Sequence, residues 1–332
     1  MNDKTILTAV FLALALLAAG CEDEDETEYG DWVKSSDFDG VARSDGASFS
    51  IGEKGYVFGG YDGKNRLTDL WEYNAGQDFW TQKADFPGPA RITSTAFSLD
   101  NKGYLGTGYD GDDYLKDFWE YDPQTNTWTQ RADFSGTARS GAVSFGIGSY
   151  GYLGTGYDGH FLKDMWKYDP VNDRWTQIVS LGGSKRNNAT AFVSGGKAYV
   201  VCGVNNGSYV TDFWRFDPQT ELWTELREIS NATDDDYDDD YEIARAYALA
   251  MIIGNRIFLA CGESGSLRSD TWEYFPDSDL WEAVTDFEGS ARTGAMTIHT
   301  STRAFVLTGR SSTYRFDDMW EYLPDQEYDT DY

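Results

Sequence analysis

The chain has 332 residues, 16% of them aromatic, and a formal net charge of −29 from 56 acidic and 27 basic side chains. Affinity for nucleic acid rests on Lys and Arg that neutralise phosphates, and anionic lipid headgroups attract basic patches. The charge therefore excludes nucleic acid as an expected partner and predicts a soluble surface that repels its own copies.

The first element in chain order is an apolar stretch over residues 6–19, which ends in Leu17-Ala18-Ala19-Gly20-Cys21. It is shorter than the roughly 20 residues of a membrane-spanning helix and is typical of a signal peptide. The segment resembles a bacterial lipobox, which implies a signal peptide over 1–20 and a lipid on Cys21. A plain signal peptide with an incidental cysteine is the alternative.

Five adjacent carboxylates follow at residues 22–26. They repel one another and cannot pack, so we expect a solvated tether over 21–31. The run resembles the acidic segment of surface-exported lipoproteins in some Gram-negative, Bacteroidetes-like bacteria. That resemblance implies an outer-membrane lipoprotein, exposed at the cell surface and held to the membrane through Cys21.

A repeat dominates the rest of the chain. Six arginines head similar segments, with spacings of 48, 48, 47, 59 and 47 residues: Arg43, Arg91, Arg139, Arg186, Arg245 and Arg292. Each segment contains four short strand-like pieces separated by turn signals, which in the first segment cover 47–51, 56–58, 70–73 and 79–82. Four strands in each unit predict one propeller blade per repeat.

The residues of the repeat resemble the Kelch motif. A glycine pair closes the second piece at Gly59-Gly60, and the later units keep its second glycine. An aromatic residue and a tryptophan occupy the third and fourth pieces, as at Tyr73 and Trp80. The resemblance implies an all-β, six-bladed β-propeller over 32–324 with four antiparallel strands per blade. An acidic tail over 325–332 would follow it.

The tryptophans predict how the ring closes. All six units carry a tryptophan in the third piece, but only five carry one in the fourth, and the twelfth is Trp32. We therefore expect the N-terminal strand to complete the last blade, which would remove an open sheet edge. Because the architecture uses all twelve tryptophans, none is left as an evident sugar-stacking platform.

An aspartate recurs two residues before each third-piece tryptophan: Asp69, Asp117, Asp164, Asp212, Asp270 and Asp318. Each lies 25 or 26 residues after the arginine of its unit, so both should lie at one face of the disc. One interpretation is a structural Arg–Asp pair in each blade. The other is an arginine ring around the channel that attracts an anionic ligand. The one-to-one stoichiometry favours the structural pair.

Function is better sought where the six-fold pattern breaks. In Kelch propellers, ligands often meet the face formed by the loops after the second strand and by the blade connections. The departures from the pattern on that face are His160, Arg186, Asn187, Asn188, Asn205, Asn206, Glu263 and Arg310. Their neutral donors and acceptors suit a glycan or a protein partner. The alternative is ordinary turn chemistry, because asparagine favours turns.

No motif predicts a cofactor or a metal site. His160 and His299 are the only histidines and should lie on opposite faces. The acidic residues within 232–242 offer oxygen ligands for Ca²⁺ but lack the spacing of a calcium loop, so a disordered loop is favoured. Cys202 and Cys261 are expected to be small buried thiols, with a disulfide as the alternative.

These features predict a surface or periplasmic lipoprotein that acts as a binding module for a glycan or protein. One alternative is an enzyme that resembles the sialic acid mutarotases, six-bladed Kelch proteins with carboxylate and arginine side chains at the channel. Asp158, Glu263 and the arginines could supply such groups, although no catalytic pair can be assigned. A structural envelope protein is the third possibility.

Overall fold

The computed structural model describes residues 28–231, 234 and 240–329. Six sheets of four antiparallel strands each surround a central channel, and no helix occurs among the described residues. The prediction of an all-β, six-bladed propeller is thereby confirmed. Cys21, the signal peptide and most of the acidic tether lie outside the described residues.

The first three blades are each built from consecutive strands, here called a to d from the channel outward. Blade 1 contains β2 (Ala47–Ile51), β3 (Lys54–Phe58), β4 (Leu70–Asn74) and β5 (Phe79–Gln82). Blade 2 contains β6 (Thr95–Leu99), β7 (Lys102–Gly106), β8 (Phe118–Asp122) and β9 (Thr127–Arg131). Blade 3 contains β10 (Val143–Ile147), β11 (Tyr150–Gly154), β12 (Met165–Asp169) and β13 (Arg174–Ile178).

Blades 4 and 6 each carry an additional two-stranded hairpin, and blade 6 includes the N-terminal strand that closes the ring. Blade 4 contains β14 (Thr190–Ser194), β15 (Lys197–Val201), β18 (Trp214–Asp217) and β19 (Leu222–Glu225), with a hairpin of β16 (Val204–Asn205) and β17 (Ser208–Tyr209). Blade 5 contains β20 (Leu249–Ile253), β21 (Arg256–Ala260), β22 (Thr271–Phe275) and β23 (Leu280–Val284). Blade 6 contains β24 (Met296–His299), β25 (Ala304–Leu307), β28 (Met319–Glu327) and β1 (Tyr29–Lys34), with a hairpin of β26 (Arg310–Ser311) and β27 (Tyr314–Arg315).

The N-terminal strand closes the ring as predicted. β1 pairs antiparallel with β28, and Trp32 lies opposite Tyr322. Tyr29 pairs with Glu327, so the sheet reaches into both predicted solvent segments, the tether over 21–31 and the tail over 325–332. The two chain ends are ordered there because each supplies the other's backbone hydrogen-bond partners.

Blades pack through aromatic side chains of alternating strand positions. Phe49 of β2 is buried and stacks on Tyr56 with the ring centroids 4.8 Å apart. A Cβ on Gly103 of the next blade would lie 2.2 Å from the Phe49 ring, so only glycine leaves room there. The blades therefore approach closely because a bulky side chain of one blade faces a glycine of the next.

The residue that directly follows strand b has the left-handed backbone conformation in every blade, with φ between 56° and 64°. The six residues are Gly59, Thr107, Thr155, Cys202, Cys261 and Thr308. This conformation is the physical reason for glycine at that place in the repeat, since Cβ makes it costly.

Cys202 and Cys261 are buried and form no disulfide bond. Within the described part of the chain, no helix is long and apolar enough to cross a membrane.

Candidate ligand-binding face

One face of the disc carries all the predicted site residues. Strands a and c begin at this face, and strands b and d end there. The b-to-c loops and the connections between blades therefore share it, and we call it the loop face. It contains two features of different chemistry, a polar cluster at the channel mouth and an arc of aromatic rings.

The repeated arginines lie beneath the loop face, each paired with the aspartate of its own blade. Arg91 is representative. Its two terminal nitrogens donate to the two carboxylate oxygens of Asp117 at 2.6 Å each, and one of them also donates to the Thr107 carbonyl at 3.0 Å. Its guanidinium stacks 4.9 Å from the Phe86 ring centroid. All six arginines are fully buried, so their charges are not available to a ligand on the surface.

The tryptophans of strand c complete these pairs. The Trp119 indole donates to Asp117 at 2.8 Å, and the other five blades repeat this bond. In blade 5, burial acts to raise the pKa of Asp270. Hydrogen bonds from Arg268 and Trp272, with the charge of Arg245, outweigh burial and lower that pKa to about 2. Asp270 is thus a charged partner of the buried Arg245.

Arg186 belongs to these pairs and not to the surface. Its side chain is fully buried and bonds to Asp212 and to the Cys202 carbonyl. Arg186 is therefore not available to a ligand. The predicted ligand-binding residues that remain here are the two asparagines that follow it, Asn187 and Asn188.

The channel mouth is framed by the second residue after each arginine: Asp45, Thr93, Gly141, Asn188, Tyr247 and Gly294. All six have positive φ values. Five of them donate a backbone N–H to the carbonyl of the equivalent residue in the preceding blade, at 2.7–3.0 Å. These backbone hydrogen bonds fix the positions from which the four non-glycine side chains of the frame extend.

Four polar side chains meet at one side of the mouth: Asp45, Tyr247, Glu263 and Arg310. The Arg310 Nε lies 3.4 Å from an Asp45 oxygen, which also accepts a 2.7 Å hydrogen bond from Ser44. Burial raises the pKa of Tyr247, and the charges of Asp45 and Glu263 raise it further. Tyr247 is therefore a neutral hydroxyl beside charged groups at physiological pH.

The other predicted site residues lie in two places, some at the channel mouth and some in a groove between blades 3 and 4. Asn187 and Asn188 lie at the mouth, and the Asn187 Oδ1 is buried without a hydrogen-bond partner among the described residues. His160, Asn205 and Asn206 line a groove of about 230 Å³ between blades 3 and 4, together with Tyr157, Gly159, Phe161 and Lys185. The structure thus gathers His160, Asn205 and Asn206 into one site and places Asn187, Asn188, Glu263 and Arg310 at another.

An arc of aromatic rings leads across the loop face to this groove. Tyr109 and Tyr114 have centroids 5.5 Å apart, Tyr114 and Tyr157 6.0 Å, and Tyr157 and Phe161 5.0 Å. Arg66 extends the row to Tyr61 by lying over both Tyr109 and Tyr61. All five rings are partly exposed. We call these five rings the aromatic arc.

The channel beneath the mouth is narrow and mostly lined by small side chains. Its two halves have volumes of about 210 and 220 Å³. His299 ends β24 and faces the half farther from the mouth. No cluster of three metal-ligating side chains occurs in the described ranges, although 235–239 of the acidic run lie outside them.

Comparison with known families explains the repeat. The model described as the KLHDC2/KLHL20/DRC7 Kelch-repeats domain matches residues 32–185, and the Kelch motif matches residues 185–229. Kelch repeats therefore cover residues 32–229 of this chain. The two matches end at residue 229, so blades 5 and 6 are identified from the structure.

Solved structures share this fold. The structure entitled "Structure of YjhT" superposes with a TM-score of 0.72 at 16% sequence identity, covering 86% of this chain and 95% of that one. At this identity the similarity concerns the fold alone. No curated protein sequence matches the Kelch chain.

The aromatic arc and two members of the mouth cluster, Asp45 and Tyr247, were not among the site residues predicted from the sequence. The arc has a signal, because Tyr-Asp-Gly recurs directly after strand b at residues 61–63, 109–111 and 157–159 of the Kelch repeats. Asp45 and Tyr247 also have one, since each lies two residues after a repeat arginine, as Asn188 does. Aligning those six positions finds them, whereas a search for unusual asparagines does not.

Proposed function

We propose that this Kelch propeller is a binding module that receives a carbohydrate chain across its loop face. The observation that carries the proposal is the aromatic arc of Tyr61, Tyr109, Tyr114, Tyr157 and Phe161, which ends at the groove lined by Asn205 and Asn206.

The chemistry of the two features is complementary. Aromatic rings offer broad apolar faces on which the C–H faces of sugar rings stack, and tyrosine keeps a polar edge for water or hydroxyls. Amide groups donate and accept hydrogen bonds without charge, which suits sugar hydroxyls. Binding sites combine apolar surface with a few placed polar groups in this way.

Binding to a glycan array by the full chain in detergent tests the proposal. We expect Tyr157→Ala to weaken binding of the best ligand roughly tenfold, about 1.4 kcal/mol, because it removes a ring between Tyr114 and Phe161. Tyr157→Phe keeps the ring and should bind within about twofold of the unmodified protein.

Tyr150 supplies a matched control. It is a partly exposed tyrosine of the same blade at the start of β11, on the face opposite the loops. Tyr150→Ala should leave binding unchanged. A Tyr157→Ala protein that binds as tightly as the Tyr150→Ala protein contradicts the proposed site, and an array with no bound glycan contradicts the function.

We further propose that the module is an outer-membrane lipoprotein anchored through Cys21 and exposed at the cell surface. The lipobox-like residues 17–21 and the acidic run at 22–26 support this. In a bacterium that processes lipoproteins, Cys21→Ser should move the protein from the detergent phase to the aqueous phase of a cloud-point extraction. A wild-type protein that already partitions into the aqueous phase would rule the anchor out.

A sugar-acting enzyme resembling the sialic acid mutarotases is the second candidate. The observation in its favour is the mouth cluster, where Arg310 pairs with Asp45 and the charges of Asp45 and Glu263 act on the Tyr247 hydroxyl. Opening a sugar ring requires groups that accept and donate protons at one point. NMR exchange between sialic acid anomers measures this activity, and rates equal to those in buffer eliminate it.

A further inference from the structure

Two arginines beside the aromatic arc, Arg66 and Arg315, lack acidic partners. The buried repeat arginines are all paired, and a partly exposed arginine beside β25, Arg303, binds the carboxylate of Glu321. Among the described residues, neither Arg66 nor Arg315 forms an ion pair.

Stacking holds both guanidiniums in place. Arg66 lies 5.5 Å from the Tyr109 centroid and 6.0 Å from the Tyr61 centroid, and its buried Nε has no hydrogen-bond partner. Arg315 lies 4.8 Å from the Tyr61 centroid and donates to the carbonyls of Tyr61 and Thr313. Terminal N–H groups on both arginines remain free to bind an anion.

The nearest carboxylates are held by their own loops. Asp62 accepts hydrogen bonds from the backbone N–H of Lys64 at 2.7 Å and of Asn65 at 2.6 Å. Asp110 accepts equivalent bonds from the two residues at 112 and 113. These bonds, with smaller contributions from the charges of Arg315 on Asp62 and of Arg66 on Asp110, lower the pKa of both aspartates. The bonds also fix both carboxylates in their turns, so neither forms an ion pair with an arginine.

The loops also leave room for the arginines. Arg315 lies over Gly63 and Arg66 over Gly111, the glycines of the first two Tyr-Asp-Gly loops. A Cβ on Gly111 would lie 2.5 Å from the Arg66 Nη1. The repeated tripeptide thus supplies a ring, a fixed turn and a gap into which the arginine of the preceding blade fits.

We propose that Arg66 and Arg315 select an anionic polysaccharide, whose carboxylate or sulfate groups bind the two guanidiniums while its sugar rings stack along the aromatic arc. This inference rests on the proposed glycan-binding function and names its ligand class. Guanidinium groups bind planar or tetrahedral oxyanions through paired N–H donors, and stacked arginines are pre-organised for it. A continuous row of rings fits a chain of sugars better than it fits a free anion.

The net charge of −29 does not oppose this. Charges farther away than the Debye length, about 8 Å at physiological ionic strength, are largely screened. The local charges therefore govern close contacts, and these are the cations of Arg66, Arg315 and the adjacent Lys64 together with the carboxylates of Asp62 and Asp110.

Calorimetry on the full chain in detergent with two matched polymer pairs tests the inference. Polygalacturonate is compared with its methyl ester, and dextran sulfate with dextran, which separates carboxylate from sulfate recognition. We expect at least one anionic polymer to bind tenfold more tightly than its neutral partner. Arg66→Gln and Arg315→Gln should each reduce that preference at least fivefold.

The control variant is Arg174→Gln, which makes the same change in net charge at an exposed position of β13 on the opposite face. It should leave the preference intact. Equal binding within both pairs, or loss of the preference in Arg174→Gln, overturns the anionic ligand. Poly-glutamate that competes for the same site as tightly as the polysaccharide overturns it in favour of acidic peptides.

The two proposals fail separately. If a neutral glycan binds and depends on Tyr157 while no anionic polymer is preferred, the charge selection is wrong and the glycan-binding function stands. If no glycan binds on the array or in calorimetry, both are wrong.

Discussion

Replacing Arg91 with alanine should lower the free energy of unfolding by about 3–5 kcal/mol, the cost of leaving one member of a buried ion pair without its partner. Arg91 is fully buried, and Asp117 accepts two of its N–H groups at 2.6 Å. Asp117→Ala should cost a similar amount, since it strands the guanidinium. Urea unfolding of the single and double variants measures these losses.

The double variant separates a true pair from two independent losses. We expect Arg91→Ala with Asp117→Ala to cost less than the sum of the single variants, because the second removal leaves no isolated charge. The exposed pair of Lys34 and Asp37 is the control, with N–O at 3.2 Å, and its coupling should be below about 1 kcal/mol. Near-zero coupling between Arg91 and Asp117 would contradict the structural pair.

Trp32→Ala should also destabilise the protein by about 3–5 kcal/mol, the usual cost of truncating a buried tryptophan. The Trp32 side chain is fully buried, with ring centroids 4.8 Å from Phe287 and 4.7 Å from Tyr322. It also holds the strand that closes the ring, so its loss weakens the pairing of both chain ends. Urea unfolding and limited proteolysis of the N-terminus measure the two effects.

Trp223 is the matched control, because it holds the equivalent position in strand d of blade 4 but is partly exposed. Trp223→Ala should cost less than half as much and should leave the N-terminus resistant to protease. Equal losses at the two positions, or an N-terminus that stays protected in Trp32→Ala, would show that closure does not depend on Trp32.

The repeat explains why so much of the fold follows from the sequence. A spacing of 47 or 48 residues between arginines defines a blade, and the position of Trp32 assigns the closing strand to the last one. The partners Arg91 and Asp117 are also local in this sense, since both belong to one blade. Such features are read from one repeat and then apply to all six.

The ligand-binding face depends on contacts between repeats. Tyr61, Tyr109 and Tyr157 are 48 residues apart, and their loops form one arc only because neighbouring blades bring them side by side. The same holds for Asp45 and Arg310, which are 265 residues apart and meet where the ring closes. No spacing in the sequence predicts those distances.

The repeat pattern specifies the propeller, its closing strand, the Arg–Asp pair of each blade and the residues available on each loop, because periodic burial and turn chemistry act within a single blade. The contacts between blades follow only from the closed ring. In the ring, Arg66 stacks on Tyr109 of the next blade without forming an ion pair, and Arg310 of blade 6 reaches Asp45 of blade 1. Partners in different blades depend on how those blades pack, and no single repeat contains that information.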